Sequence, residues 1–178
     1  MPLGDRKLTM EELGRVSSEE YPSTIARRVH VVLDDVRSRH NVGSVFRTSD
    51  SFGVAHLHLC GFTPLPPHRE IEKTALGATA SVAWSHAPDS AALVNDLRRQ
   101  GFLVLAVEQT VAARELQQVR IPEDRPLALV FGNEVNGVSD AVIEACDGCV
   151  VVPQRGTKHS LNVSVCAGVV LHWLVGQG

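Results

Sequence analysis

Three short segments of the chain combine glycines with polar side chains in spacings that could support chemistry. They cover residues 41–53, 127–139 and 150–164. Each segment follows a short apolar run and precedes a helical pattern. In an open α/β sheet, ligands bind at the carboxyl ends of the strands, where such connections lie. The three segments therefore predict one ligand site at that edge of a sheet.

The first segment places an asparagine and an arginine on a short helix. Asn41 is a predicted N-cap, because its side-chain oxygen can accept from the first free N–H groups. Val42, Val45 and Phe46 form an apolar stripe, and Arg47 lies off that stripe. Taken alone, the pattern favours a structural cap with a solvated arginine over a functional site.

The second segment excludes two common nucleotide-binding motifs. Gly132 and Gly137 have the spacing of a phosphate-binding loop, but Val138 stands where that loop requires lysine. The glycine pattern of dinucleotide-binding folds is also absent from the segment. Glu134 is either a functional carboxylate or part of a surface turn, and spacing alone leaves both interpretations open.

The third segment leads into the last helix. Pro153 and Gly156 break the preceding strand, and Ser160 is the predicted N-cap. The helix that follows is apolar on nearly every side, which predicts burial in a core or at a subunit interface. Asn162, in its first turn, is predicted to be buried, and a buried amide requires a hydrogen-bonding network or a ligand.

The remaining sequence predicts an α/β domain with a mostly parallel sheet flanked by helices, because β-branched runs alternate with helical patterns. Strands are predicted over residues 29–34, 56–62, 81–86, 102–108, 127–132 and 149–153, and helices over 41–52, 89–100, 137–145 and 160–175. Residues 29–178 form this predicted domain. Residues 1–28 form a predicted charged helical arm, since Thr9 to Glu12 and Ser17 to Glu20 fit capping boxes.

The composition is that of a globular protein: 178 residues, 44% hydrophobic, with a formal charge of −3. Negative net charge excludes binding of nucleic acid by bulk charge, although a local basic patch stays possible. No run approaches the about 18 apolar residues of a membrane span. Four cysteines without a recognisable secretory signal predict reduced thiols and a cytoplasmic location.

Two smaller patterns are interpreted as structural. Cys146 and Cys149 form a C-x-x-C that closes a helix, whereas a redox thiol gains its low pKa at a helix start. Two unreactive thiols are therefore favoured over a redox or metal site. His56 and His58 lie on one face of a strand, but no second pair of ligands stands at zinc-like spacing. The sequence predicts no metal.

Taken together, the three segments resemble the motifs of the SpoU/TrmH branch of the SPOUT RNA methyltransferases. The matching stretches are Asn41 to Thr48, Phe131 to Val138, and Pro153 through Ser160 to Ser164. The resemblance implies transfer of a methyl group from S-adenosylmethionine to a ribose 2′-hydroxyl of tRNA or rRNA. It also implies a C-terminal deep trefoil knot and a homodimer formed through the knot and the last helix.

The resemblance further implies roles for individual residues. Arg47 matches the catalytic arginine, either as proton acceptor or, since a guanidinium is a poor base, as a clamp on phosphate and the developing alkoxide. The residues matching those that position Arg47, the ribose and the cofactor loops are Asn41, Glu134, Ser160 and Asn162. The matching cofactor-binding positions are Val107, Gly132, Val152, Ser160 and Leu161.

Basic side chains near the motifs are the predicted RNA contacts, although each taken alone is more typical of a solvated side chain than of a phosphate contact. The main candidates are Arg37, Arg39, Arg155 and Lys158, followed by Arg27, Arg28, Arg69 and Lys73. Two alternatives to the methyltransferase stay open. A non-catalytic S-adenosylmethionine-binding RNA chaperone or assembly factor would have no need of Arg47. A generic nucleotide-binding enzyme is weakened by the missing phosphate-loop lysine.

Overall fold

The computed structural model describes residues 6–9, 11–14, 20, 29–157 and 159–176. Within these residues, seven strands form one sheet: β1 (Val29–Asp34), β2 (His56–Cys60), β3 (Trp84–Ala87), β4 (Leu103–Val107), β5 (Arg114–Glu115), β6 (Leu127–Phe131) and β7 (Gly148–Val151). Their order across the sheet is β3-β2-β1-β6-β4-β7-β5. Every pairing is parallel.

Helices cover both faces of the sheet, which is why the central strands are apolar almost throughout. The helices are α1 (Arg39–Ser51), α2 (Arg69–Ala75), α3 (Ala78–Ser81), α4 (Ser90–Arg99), α5 (Asp140–Ala145) and α6 (Val163–Val175). Phe46 of α1 and Leu171 of α6 lie in the core on one face, and Val94 of α4 and Val142 of α5 lie in the core on the other. Within the described ranges, no helix has the length and hydropathy of a membrane span.

The predicted parallel α/β architecture is confirmed, and each predicted strand and helix of the domain is present to within three residues at either end. The strand predicted from residue 81 begins later because residues 78–81 form α3. Four elements of the described residues were not predicted: α2, α3, β5 and the short 3₁₀ helix Leu116–Gln118. The helix α2 follows a proline-rich loop and buries only Ile71 and Ala75, so its seven residues carry little helical periodicity.

Both predicted helix caps are wrong. Ser38 is the N-cap of α1 and accepts from the Asn41 N–H at 3.3 Å. The Asn41 side chain is instead bonded to Glu134, so it cannot cap. At the last helix, Asn162 is the N-cap rather than Ser160, which lies two residues before it.

The predicted capping box in the N-terminal arm is present at Thr9 and Glu12. The Thr9 N–H donates to Glu12 Oε2 at 2.8 Å, and the Glu12 N–H donates to Thr9 Oγ1 at 3.3 Å. Residues 11–14 form a turn rather than a helix. The second predicted capping box, over residues 17–20, lies outside the described residues except for its last member. The domain boundary at residue 28 stays a prediction.

A buried carboxylate joins the end of β1 to two helices on one face of the sheet. Asp34 is 2% exposed. It accepts from Ser90 Oγ at 2.6 Å, and from both the N–H and the Oγ of Ser139 at 2.9 Å. Ser90 begins α4 and Ser139 precedes α5. A buried carboxylate is tolerated only when its oxygens are hydrogen-bonded. The bonds from Ser90 and Ser139 therefore tie the starts of α4 and α5 to Asp34.

Removing this carboxylate is expected to destabilise the fold. Asp34→Ala leaves the hydroxyls of Ser90 and Ser139 without their acceptor, so the free energy of unfolding should fall by about 3 kcal/mol. Urea unfolding measures the change. Glu144→Ala, at an exposed position of α5, is the control and should change the value by less than about 0.5 kcal/mol. Equal stabilities for the two variants would contradict this role.

Three histidines lie side by side near the amino ends of β1 and β2. His30 Nδ1 lies 3.1 Å from His58 Nε2, and Ser85 Oγ lies 2.9 Å from His56 Nε2 and 3.2 Å from His58 Nδ1. Burial, together with the neighbouring histidines, lowers the pKa of His58 to about 3, and burial also lowers the pKa of His56. In the described part of the chain, no group of three or more His, Cys, Asp or Glu side chains is arranged so that it could hold a metal ion.

Acid is therefore expected to destabilise the fold through His58. A histidine whose pKa is lowered by folding binds its proton more readily in the unfolded chain, so this contribution falls as the pH drops below about 6.5. Between pH 7.5 and 5.5, wild type should lose about 1 kcal/mol more unfolding free energy than His58→Asn. Urea unfolding at both pH values tests this. The exposed variant His40→Asn should keep the wild-type slope, and a wild-type slope for His58→Asn would refute the assignment.

Candidate active site

A cavity of about 480 Å³ lies at the carboxyl ends of β4, β6 and β7. Its walls are formed by residues 107–109, 131–137, 150–152 and 159–163, with Gln154 and Cys166. This volume is within the range of small-molecule sites. The second and third motif segments therefore line one cavity at the sheet edge where the sequence predicts a ligand site.

The loop after β6 closes on itself as a tight hairpin. Asn133 and Gly137 exchange two backbone hydrogen bonds of 2.9 Å. The Asn133 side chain accepts from the N–H groups of Val135 and Asn136 at 2.8 and 3.1 Å. A Cβ on Gly132 would lie 2.1 Å from the Gly137 carbonyl carbon. Only glycine fits there, so the backbone of the loop forms the cavity wall.

Glu108, which the sequence did not single out, holds this hairpin from the end of β4. Its carboxylate accepts from the Val138 N–H at 2.9 Å and from the Gln109 N–H at 2.7 Å. Gly137 has φ +71, and a Cβ there would lie 2.2 Å from Glu108 Oε2. The side chain of Gln109 donates to the His159 carbonyl. Glu108 thus holds the hairpin after β6, and Gln109 holds the loop that contains His159.

Glu134 connects the same hairpin to the first motif segment. Its carboxylate accepts from the backbone N–H groups of Arg37 at 2.9 Å and Ser38 at 3.0 Å. It also accepts from Asn41 Nδ2 at 2.8 Å. Partial burial opposes ionisation, but these donors outweigh it and lower the pKa of Glu134. The carboxylate is therefore charged at neutral pH and bonded from three sides.

Asn41 extends this network to the third segment. Its side-chain oxygen accepts from Asn162 Nδ2 at 3.1 Å. The Asn162 oxygen in turn accepts from the Ser164 N–H at 2.9 Å and from Ser164 Oγ at 2.7 Å. The prediction that Asn162 is buried is wrong: it is exposed at the open edge of the cavity, where capping satisfies its amide. Glu134, Asn41 and Asn162 therefore join all three segments.

The predicted residues divide into two groups. Those that line the cavity are Val107, Gly132, Glu134, Val152, Ser160, Leu161 and Asn162. Arg47 does not line it. Its side chain is exposed further along α1, and its guanidinium has no partner within the described ranges. One chain therefore brings the predicted positioning and cofactor residues together and leaves the predicted catalytic arginine outside the cavity.

The basic candidates are spread around the edge of the sheet. Arg37 and Arg155 are exposed, and neither side chain has a partner among the described residues. Arg39 lies 3.6 Å from Glu70 in an exposed ion pair. Lys158, Arg27 and Arg28 lie outside the described residues.

The last helix is only partly buried in the single chain. Leu171 and Leu174 are buried, whereas Val165 and Val169 are 54% and 40% exposed. This helix packs against α1, where Thr48 lies next to Gly168 and the ring of Phe52 lies 6.1 Å from that of His172. An apolar strip of α6 is thus open beside the helix that carries Arg47.

The C-x-x-C pair sits as predicted at the end of a helix and the start of a strand. Cys146 is the C-cap of α5, and Cys149 lies in β7. Burial, with smaller contributions from Cys149 and Asp147, raises the pKa of Cys146 to about 12. A thiol with this pKa is protonated at neutral pH and is a poor nucleophile.

The fold is an open parallel α/β sheet whose motif loops surround one cavity at its carboxyl edge. The model of the SpoU rRNA Methylase family matches residues 28–172, and the chain belongs to this family. The resemblance inferred from the three motifs is therefore confirmed.

Named relatives cover most of the chain. The tRNA (guanosine(18)-2′-O)-methyltransferase of Thermus thermophilus is 33% identical over 79% of this chain and 71% of its own length. The 23S rRNA (guanosine-2′-O-)-methyltransferase RlmB of Vibrio parahaemolyticus is 33% identical over 83% of this chain and 58% of its own. The crystal structure of the A. aeolicus TrmH/SpoU tRNA modifying enzyme has a TM-score of 0.78 at 26% identity, covering 90% of this chain and 81% of that one.

The contact between Glu108 and Gly137 makes a measurable prediction. Gly137→Ala should lower the free energy of unfolding through both backbone strain, about 1 kcal/mol, and overlap with the Glu108 carboxylate. In a Glu108→Ala background the overlap is gone, so the same substitution should cost at least about 1 kcal/mol less. Urea unfolding of wild type, Gly137→Ala, Glu108→Ala and the double variant gives the coupling free energy between the two positions.

Gly101 provides the matched control. It has φ +90, but a Cβ there meets open space, so Gly101→Ala should cost the strain alone. Its effect should be the same with and without Glu108. Additive effects of Gly137→Ala and Glu108→Ala would show that Glu108 does not hold the hairpin.

Proposed function

We propose that this protein transfers a methyl group from S-adenosylmethionine to a ribose 2′-hydroxyl of tRNA or rRNA. The observation that carries the proposal is the hydrogen-bonded connection of Glu134, Asn41 and Asn162, which joins the three family motifs at one cavity. Family membership and the named activities of the relatives support the reaction type.

The cavity lining fits S-adenosylmethionine. Val107, Val152 and Leu161 supply aliphatic surface for an adenine ring, and backbone groups of the surrounding loops supply polar contacts. Gly132 lets the backbone of Gly137 and Val138 pack directly against it, so the cofactor would meet main-chain groups of the hairpin at this wall. The bound cofactor supplies the electrophilic methyl group. The residues of the chain then hold the ribose oxygen in line with it, which alone contributes several kcal/mol to the rate.

The ribose hydroxyl must lose its proton during transfer. Arg47 accepts it in one role, and solvent water accepts it when Arg47 acts as a clamp. A guanidinium is a poor base because its pKa exceeds about 12. It is well suited to hold the adjacent phosphate and to stabilise the developing alkoxide. We retain both roles for Arg47, with the clamp favoured by its charge. Glu134, Asn41, Ser160 and Asn162 position the ribose and the loops.

A homodimer would complete the site. Arg47 stands outside the cavity of its own chain, and the helix packed beside it exposes Val165 and Val169. Pairing of two chains through α6 would cover this apolar strip and place each Arg47 against the partner's cavity. The C-terminal trefoil knot and the cytoplasmic location stay predictions.

Substitution of Arg47 separates the enzyme from a non-catalytic RNA chaperone. Arg47→Ala should lower kcat for labelled methyl transfer into total tRNA or rRNA by about 100- to 1000-fold, because a charge that stabilises the transition state is removed. Binding of S-adenosylmethionine, measured by calorimetry, should be unchanged. Arg120→Ala, at an exposed position between β5 and β6, is the control and should retain wild-type transfer.

The location of the label is part of the test. Label recovered in ribose from wild type and from Arg120→Ala supports the proposed reaction. Cofactor and RNA binding by wild type, with no transfer into either pool, would favour the chaperone. Preference for ATP or NAD over S-adenosylmethionine would favour a generic nucleotide-binding enzyme.

A further inference from the structure

One aromatic side chain is held in solvent at the carboxyl edge of the sheet. Phe62 follows β2 and is 61% exposed. Every other phenylalanine and both tryptophans are buried or half-buried, and Phe62 is the one exposed phenylalanine, tyrosine or tryptophan in the described part of the chain. A single exposed apolar residue is common on protein surfaces, so its setting decides what it can do.

The turn that presents Phe62 is fixed on both sides. The Phe62 N–H donates to Asp35 Oδ1 at 2.9 Å, and the Gly61 N–H donates to the Ala87 carbonyl at 2.9 Å. Thr63 is 2% exposed, and its hydroxyl donates to the Leu33 carbonyl at 3.2 Å. A ring displayed from a rigid backbone loses little entropy when it is covered. This geometry suits a contact surface.

Hydrogen bonds connect this turn to the candidate active site. Asp35, which accepts from the Phe62 N–H, also accepts through its carbonyl from Asn133 Nδ2 at 2.7 Å. Asn133 belongs to the hairpin that lines the cavity. Only β1 separates β2 from β6 in the sheet, so Phe62 lies about 10 Å to the side of that hairpin. At about 3.4 Å per nucleotide along a helical strand, this corresponds to about three nucleotides.

Cations lie on either side of Phe62 along the chain. Arg37, in the loop next to Asp35, and Arg69 and Lys73 of α2 are exposed and have no side-chain partner among the described residues. An exposed aromatic ring, with exposed guanidinium and ammonium groups on the neighbouring segments, is the combination that binds single-stranded nucleic acid, because bases stack on the ring and phosphates pair with the cations. Binding of a protein partner would not require both an exposed aromatic ring and unpaired cations.

We infer that Phe62 stacks on a base of the substrate RNA a few nucleotides away from the methylated ribose, with Arg37 and Arg69 contacting the adjoining phosphates. The inference rests on the proposed RNA substrate and adds a second, sequence-tolerant contact outside the cofactor cavity. Stacking requires a flat aromatic ring, which distinguishes it from general apolar burial.

The test compares Phe62→Ala, Phe62→Leu and Phe62→Trp in the full chain, with total tRNA and total rRNA as probes. Filter binding gives the RNA dissociation constant without requiring catalysis, and methyl transfer gives KM and kcat. Loss of one stacked base should weaken RNA binding about 5- to 150-fold for the alanine and leucine variants. The tryptophan variant should bind like wild type. Affinity for S-adenosylmethionine should not change in any variant.

Val111→Ala is the matched control, because Val111 is fully exposed in the loop after β4, beyond the far side of the cavity. It should bind RNA like wild type. Unchanged RNA affinity in Phe62→Ala would overturn the inference. Wild-type affinity in Phe62→Leu would show apolar contact without stacking and would also overturn it, as would a changed oligomeric state in Phe62→Ala by sedimentation.

The two proposals fail in different ways. Absence of methyl transfer by wild type counts against the proposed reaction, while the binding comparison among the Phe62 variants still decides the stacking contact. Normal transfer with no effect of Phe62 rejects the stacking contact and leaves the reaction standing.

Discussion

The arrangement of the candidate site depends on one carboxylate. Glu134 accepts from the backbone of Arg37 and Ser38 and from the side chain of Asn41. Hydrogen bonds to an ionised acceptor are roughly twice as strong as neutral ones, so the loop after β6 cannot move independently of the start of α1. Asn41 passes this restraint to Asn162, which caps the last helix. The three motif segments, which are far apart in sequence, are thus all positioned through hydrogen bonds that begin at Glu134.

Parallel pairing of β1 with β6 makes this contact possible. The register places Leu33 opposite Phe131, so residues about 100 positions apart leave the sheet side by side. Asp34 and Asp35, at the end of β1, then form hydrogen bonds to different neighbouring elements. Asp34 holds the starts of α4 and α5, and Asp35 contacts the hairpin after β6 and the turn after β2. The carboxyl edge is therefore braced on both sides of β1, and the cavity lies on the β6 side.

The sequence predicts this fold well where the signal is local. Apolar runs located the six longer strands, and the motif segments located the cavity. The helix caps could not be assigned from residue type, because Ser38 and Asn41 are both good caps and only the distant Glu134 decides between them. Glu108 was missed for a related reason. A glutamate at a strand end carries no local signal, and its function appears only when Gly137 and Val138 fold back against it.

An acidic chain can present a site for a polyanion because of where its carboxylates are directed. Asp34, Glu108 and Glu134 point their oxygens at N–H and O–H groups of the protein. Arg37 and Arg155 are exposed at the same edge, without a side-chain partner among the described residues. A phosphate approaching this edge meets cations first, and behind them carboxylates whose charge is offset by fixed local dipoles. The same carboxylate network that organises the loops therefore need not repel the proposed RNA substrate.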